Sequence, residues 1–101
     1  MSKYYSILQV TPTTQDWIAA YMAVANDLVA KHGGIYLART QQHQTLEGDL
    51  ESPLLRIIMQ WPSKQAALNF MADPAYQPYL QSRTQGSISH HSLVKAIDEL
   101  K

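Results

Sequence analysis

Any chemistry in this chain falls to a handful of polar side chains. They are His32, Arg39, Glu47, Tyr76 and Arg83, with Arg56 and the pair His90-His91 behind them. Arg39 ends the apolar run Ile35-Tyr36-Leu37-Ala38. Its planar fork of donors suits a carboxylate or carbonyl ligand; the plainer reading is a strand-end arginine paired with Glu47 or left in water. Histidine is the side chain best suited to acid–base work near neutral pH, so His32 is a candidate general base. A histidine in the last turn of a helix more often bonds to free carbonyls there. Glu47 is a base or a loop anchor, and Tyr76 packs with its hydroxyl at a cleft edge. Arg83 either closes a pocket from above or sits on the surface. Arg56 lies mid-strand, so its head must reach solvent, a carboxylate across a dimer, or a ligand.

His90 and His91 adjoin in sequence, but successive strand residues point to opposite faces, so the two are a poor chelate and no metal is expected. The sequence contains no nucleophile elbow, phosphate loop, zinc motif or dinucleotide fingerprint. Gly33-Gly34 follows a helix rather than opening one, the wrong end for a phosphate. No cofactor is expected. The sequence names no reaction, and whether the protein is an enzyme stays open at this level.

Bulk properties narrow the partners. At 101 residues the chain is expected to form one domain, spanning 1–101. Eight basic and eight acidic residues give zero net charge with no basic run, which argues against nucleic acid or an anionic membrane as partner. There is no cysteine, hence no disulfide or thiolate site. No apolar segment approaches membrane-spanning length, and a cytoplasmic address is expected. Charged residues make up only 16%, against a usual ~25%. A small body with so little charge leaves apolar surface for a second subunit to cover.

The elements that must position these side chains follow from periodicity. Tyr4 to Val10 reads as a first strand, rich in aromatic and β-branched residues. Thr13 or Thr14 then caps a helix from Gln15, with Trp17, Tyr21, Val24, Leu28 and Val29 on one stripe and Ala20 and Ala25 beside it. Gly33 closes that helix as a left-handed residue. Ile35 to Arg39 is strand two. The polar segment to Pro53 is either a ragged strand extension or a loop. Leu54 to Trp61 is a strand apolar on both faces, one set being Leu55, Ile57, Met59 and Trp61. Ser63 caps a helix over Lys64 to Met71, and Asp73-Pro74 signals a second start whose early turns Pro78 should disturb. Ile88 to Ile97 is the last strand. The order predicts an α+β ferredoxin-like βαββαβ sandwich: one antiparallel sheet, helices on one face, and an open face paired with a partner. Arg56 and Ile58 are placed on that partner-facing side.

His32-Gly33-Gly34, Leu46-Glu47-Gly48-Asp49, Trp61-Pro62-Ser63 with Ala66-Ala67, and Asp73-Pro74-Ala75-Tyr76-Gln77 together resemble an uncharacterised bacterial family. It is domain-of-unknown-function family 1330, within the dimeric α/β-barrel superfamily. The resemblance runs from about residue 4 to 97. It implies a homodimer whose sheets form a barrel, and a basic residue at position 83. The family usually shows Glu-Phe-Pro-Ser where this chain has Gln60-Trp61-Pro62-Ser63, and often Trp-Tyr at Phe70-Met71, so a carboxylate is missing at position 60. Superfamily relatives include monooxygenases, isomerases and haem enzymes. The expectation is a cleft between sheet and helices, walled by Ile7, Leu37, Ile57 and Phe70. His32, Arg39, Glu47, Tyr76 and Arg83 would orient a small carbonyl or carboxylate compound there, and cofactor-free proton-transfer or oxygenase chemistry suits such a site. The alternative is a non-catalytic dimeric structural or interaction module.

Overall fold

The structure, a computed structural model, describes residues 2–101. Seven elements follow one another: β1 (Tyr4–Pro12), α1 (Ile18–Lys31), β2 (Ile35–Thr40), β3 (Leu55–Trp61), α2 (Lys64–Ala72), α3 (Gln77–Gln85) and β4 (Ser87–Lys95). The strands form one sheet in the order β2-β3-β1-β4, every neighbouring pair antiparallel. This is the ferredoxin-like arrangement. Its two central strands are the first of each βαβ half.

Strand alternation sorts the residues by face. Ser6, Leu8 and Val10 of β1 and Ile57, Met59 and Trp61 of β3 are buried. With Ala25, Leu28, Val29, Ala67, Phe70 and Tyr76 from the helical layer they make one core. The other face carries Tyr5, Ile7 and Gln9 opposite Gln60, Ile58 and Arg56, and Ile88 opposite Thr11. No helix covers it. Arg56 and Ile58 thus lie on the open side of the sheet.

Two local outcomes differ from the sequence reading, and a third settles what it left open. Helix α1 begins at Ile18 rather than Gln15, and no threonine side chain caps it. Instead, the Trp17 indole donates to the Thr14 carbonyl at 2.8 Å and the Gly86 carbonyl at 3.1 Å. A long-range anchor has replaced the local cap. The second helical segment is split into α2 and α3. Asp73 ends α2 and its Oδ1 accepts from the Ala75 N–H at 3.0 Å, forming an Asx turn instead of starting a helix. Pro78 therefore falls in the first turn of α3, where its missing N–H costs nothing. Last, residues 41–54 form no strand; they make a loop.

Elsewhere the local signals act as read. Ser63 accepts from the Ala66 N–H at 3.1 Å and starts α2. Gly33 has φ +79°, and the N–H groups of Gly33 and Gly34 return to the Ala30 and Val29 carbonyls. The β2–β3 register shifts between Tyr36 and Ala38. This bulge turns Tyr36 and Arg39 to the helix side, level with Met59 and Ile57.

Candidate functional site

The helix layer does not seal against the sheet. Between α1, β1 and β3 lies a cavity of about 190 Å³ with almost wholly apolar walls, among them Leu8, Val10, Trp17, Met22, Leu55 and Ile57. Its polar wall comes from Tyr21, Arg83 and, at the start of the long loop, Gln41. A narrow crevice of about 20 Å³ continues beneath it to Tyr76, Phe70, Tyr36 and His91. On the far side of Arg83 an open groove of about 510 Å³ runs between α3 and β4 past Gln81, Thr84 and His91. Arg83 borders all three spaces.

Arg83 belongs to the last turn of α3 and is 3% exposed. Its Nε–H donates to the Tyr21 hydroxyl at 3.1 Å, and that hydroxyl lies 2.6 Å from the Tyr76 hydroxyl. Among the described residues no carboxylate comes within 4.0 Å of the guanidinium; both ion pairs of the structure involve Asp73. A buried arginine is ordinarily paired. Here its charge is met by phenols and by open space.

The phenols are held by packing. Tyr76 is 1% exposed and stacks on Phe70, ring centroids 4.3 Å apart. Burial, reinforced by Tyr21, raises its phenol well above the usual range, so it remains a proton-bearing hydroxyl. Tyr21 stands edge-on to Trp17. Burial also raises Tyr36, against the opposing pull of Arg39.

A second buried chain runs across the sheet. The Trp61 indole donates to Ser6 Oγ at 2.8 Å, and Ser6 Oγ lies 2.8 Å from His91 Nε2. Burial is the main cause holding His91 below its ordinary pKa of 6.5, with the charge of Arg83 adding to it. His91 stays neutral at pH 7.

The structure separates the five residues singled out in sequence. Arg83 and Tyr76 meet through Tyr21 at the inner end of the cleft. Arg39 lines the crevice from β2, stacks over the Tyr36 ring at 3.9 Å and donates to Asn26 Oδ1 at 2.7 Å. It does not pair with Glu47. The His32 ring does not bond to a free carbonyl at the end of α1. Its Nε2 lies 2.8 Å from Asp73 Oδ2, where Lys31 Nζ also donates at 3.1 Å. These partners, His32 first, then the Ala75 N–H, hold the Asp73 carboxyl well below the usual range. They pin the end of α1 to the turn that carries Tyr76. Glu47 is exposed in the 41–54 loop, remote in kind from the buried cluster.

Of the expected walls, Ile57 and Phe70 line the cleft. Ile7 lies on the opposite sheet face, level with Ile58, and Leu37 is exposed in the bulge. Arg56 donates to His43 Nδ1 at 2.9 Å and Thr45 Oγ1 at 3.0 Å, tying down the long loop. His90 is exposed and His91 is turned to the helix side. Tyr21, Ser6 and Trp61 were not singled out. Tyr21 reads as one more member of an apolar stripe, and only Ser6, a lone hydroxyl between aromatic and aliphatic residues, carried a signal.

The comparisons with known proteins come to rest on the same fold. The chain belongs to the family described as Domain of unknown function (DUF1330), whose model matches residues 3–97. A protein of unknown function from Rhodopseudomonas palustris is similar in structure, with TM-score 0.77 at 19% identity over 96% of this chain and 84% of that one. SnoaB, a cofactor-independent oxygenase from Streptomyces nogalater, has TM-score 0.66 at 16% identity, covering 99% and 98%. A dimeric ferredoxin-like protein of unknown function from Jannaschia has TM-score 0.61 at 13% identity, covering 89% and 97%. No curated protein matches. At these identities the likeness speaks for the fold alone.

Proposed function

We propose that the protein binds a small, largely apolar compound bearing a carboxylate or an enolisable carbonyl, in the cleft between α1 and the sheet. The observation that carries this is Arg83, a buried cation without a carboxylate partner at the inner wall of an apolar cavity. An anionic or strongly polarised oxygen placed there would gain charge-assisted hydrogen bonds in a low-dielectric site. The Tyr21 and Tyr76 hydroxyls stand beside it, and Arg39 borders the crevice beyond. His32 then acts at one remove, through Asp73, by fixing the turn that presents Tyr76. Glu47 has no part in this reading.

Such a site favours an enolate over its keto form, because the donors await negative charge on oxygen. Cofactor-free proton transfer, or oxygen chemistry on an activated carbanion, is the reaction class that benefits. The oxygenase SnoaB shares the fold, which supports the class without deciding it. A cytoplasmic address suits a chain without cysteine. No helix of the described residues is long and apolar enough to cross a membrane.

The working form in this proposal is a homodimer. The uncovered sheet face exposes Ile35, Ile58, Ile88 and Val94 in one layer with Tyr5 and Ile7. A second copy of that face is self-complementary under a two-fold axis and would bury them. The dimeric Jannaschia protein shares the fold. A dimer without any ligand is the second reading, favoured by the crevice of about 20 Å³, which the protein's own side chains nearly fill.

Phenylpyruvate, with an aromatic body, a carboxylate and an enolisable carbonyl, tests the first reading. Ligand-observed NMR should show binding to wild type and its loss in Arg83→Gln. Native mass spectrometry on gently purified protein should show a dimer. Binding indifferent to Arg83→Gln removes the cleft assignment.

A further inference from the structure

The Trp61–Ser6–His91 chain has a direction. An indole N–H can only donate, so one lone pair of Ser6 Oγ receives the Trp61 hydrogen at 2.8 Å. Ser6 is fully buried, and among the described residues His91 Nε2, 2.8 Å away, is the one other partner of its Oγ, so the hydroxyl's own proton goes there; a donating Nε2 would leave that proton without an acceptor. A neutral imidazole that accepts at Nε2 carries its hydrogen on Nδ1. Among the described residues no protein group bonds Nδ1, and no buried polar side-chain atom is orphaned. Nδ1 is therefore not sealed in protein. His91 borders the crevice and the groove that Arg83 also borders.

We propose that His91, held in the Nδ1–H tautomer by the Trp61–Ser6 chain, is the second anchor of the ligand's anionic oxygen, donating beside Arg83. This rests on the cleft reading above and specifies its recognition chemistry: two donors of different kind, a guanidinium and an imidazole N–H, bordering the same crevice at the inner end of the cleft. His91 is a binding residue here and moves no proton. Its neutrality is useful, because the group remains a single, directed donor beside a cation that a second cation would repel.

The groups that face His91 are consistent with that role. Arg83 comes from α3, Tyr21 from α1, Tyr76 from the α2–α3 turn, and Tyr36 and Arg39 from β2 across the crevice. From β1 comes Ser6, and from α2 the uncharged Ala67, Leu68 and Met71. None of these neighbours is a carboxylate, so nothing among them would draw the imidazole into its charged form.

The tautomer is measurable on wild-type protein alone. With ¹⁵N-labelled histidine, long-range ¹H–¹⁵N spectra at pH 7 should show a neutral His91 with hydrogen on Nδ1 and a bare Nε2. Ser6→Ala should erode that preference. Phenylpyruvate binding supplies the functional arm. His91→Phe should weaken it roughly tenfold to a hundredfold, the worth of one hydrogen bond to a charged group. His91→Asn places an amide N–H near the position of Nδ1–H and should recover most of that loss. A free-protein spectrum with hydrogen on Nε2 overturns the proposal, and so does wild-type affinity in His91→Phe. Binding that persists in Arg83→Gln overturns the cleft reading itself, whatever the tautomer. Arg83-dependent binding that ignores His91→Phe leaves the cleft and removes only His91.

Discussion

If Arg83 is kept for a ligand, the fold should not need it, and Arg83→Met measures this directly. Three contributions set the expected change. Loss of the charge-assisted bond from Nε to Tyr21 at 3.1 Å costs about 1.5–3 kcal/mol. The guanidinium also lies 5.7 Å from the Tyr21 ring centroid, a contact worth roughly 1–2 kcal/mol in a desolvated setting. Against these stands the desolvation of a cation at 3% exposure, several kcal/mol per ion in a real protein. Solvent in the adjoining groove reduces that penalty, so the two sides nearly cancel. Methionine keeps most of the apolar stem, and Tyr21 retains its bond to Tyr76. The expected result is a folding free energy within about 1 kcal/mol of wild type, or higher, with phenylpyruvate binding abolished. Urea denaturation at fixed protomer concentration is the assay, since a dimer's apparent stability depends on concentration. A loss above roughly 3 kcal/mol with an unchanged m-value would make Arg83 a structural residue and refute the reasoning.

Other consequences are as direct. A Cβ at Gly34 would lie 2.7 Å from both Trp61 Cζ3 and Val29 Cγ1, so Gly34→Ala should destabilise by about 1–3 kcal/mol, read as a lower urea midpoint. Asp73 has a folded pKa below its ordinary 3.8, so its contribution is full above pH 3.8 and fades as pH falls through the folded value; Asp73→Asn should flatten the acid limb of the stability curve. His91 also binds its proton less readily when folded. Stability should therefore decline as pH drops below 6.5 toward the folded value, a slope that His91→Asn removes in chemical denaturation across that window. If the open sheet face pairs two copies as proposed, Ile58→Glu should yield a monomer in sedimentation where wild type is a dimer, while leaving the far-ultraviolet circular dichroism unchanged.

Much of this architecture is written in local signals, and where it is not, the reason is long-range contact. The strands announce themselves because β-branched and aromatic runs alternate, and Gly33 marks the helix end because a positive φ is cheap only there. Asp73 misleads for a physical reason. The same short side chain that can cap a helix can close an Asx turn, and its partners His32 and Lys31, 41 and 42 positions away, decide between them. Trp17 likewise ties itself to Gly86 across the fold, which no window around Thr13 could reveal. In the site, Arg83 and Tyr76 were visible because charge and hydroxyl stand out against their surroundings. Tyr21 was hidden by its fit to a core stripe. His91 was visible only as half of a metal pair, and its bond to Ser6, 85 positions distant, gives it another meaning.

The cluster also carries a consequence for motion. Tyr21 rides on α1, Tyr76 on the turn before α3, and Arg83 on α3 itself. Their bonds are the polar tie between helices otherwise joined by apolar packing, with Trp17 and the His32–Asp73 pin closing the two ends. An anionic ligand at Arg83 would engage this tie from the cavity side, so its binding energy would oppose separation of α1 from α3. Amide exchange slowed along α1 and α3, with β1 and β3 unchanged, is the pattern to expect on adding phenylpyruvate. A ligand resting on the outer groove alone would protect α3 and β4 and leave α1 untouched. Protection of α1, present for the cavity and absent for the outer groove, therefore reports which side of Arg83 the ligand occupies, independently of its affinity.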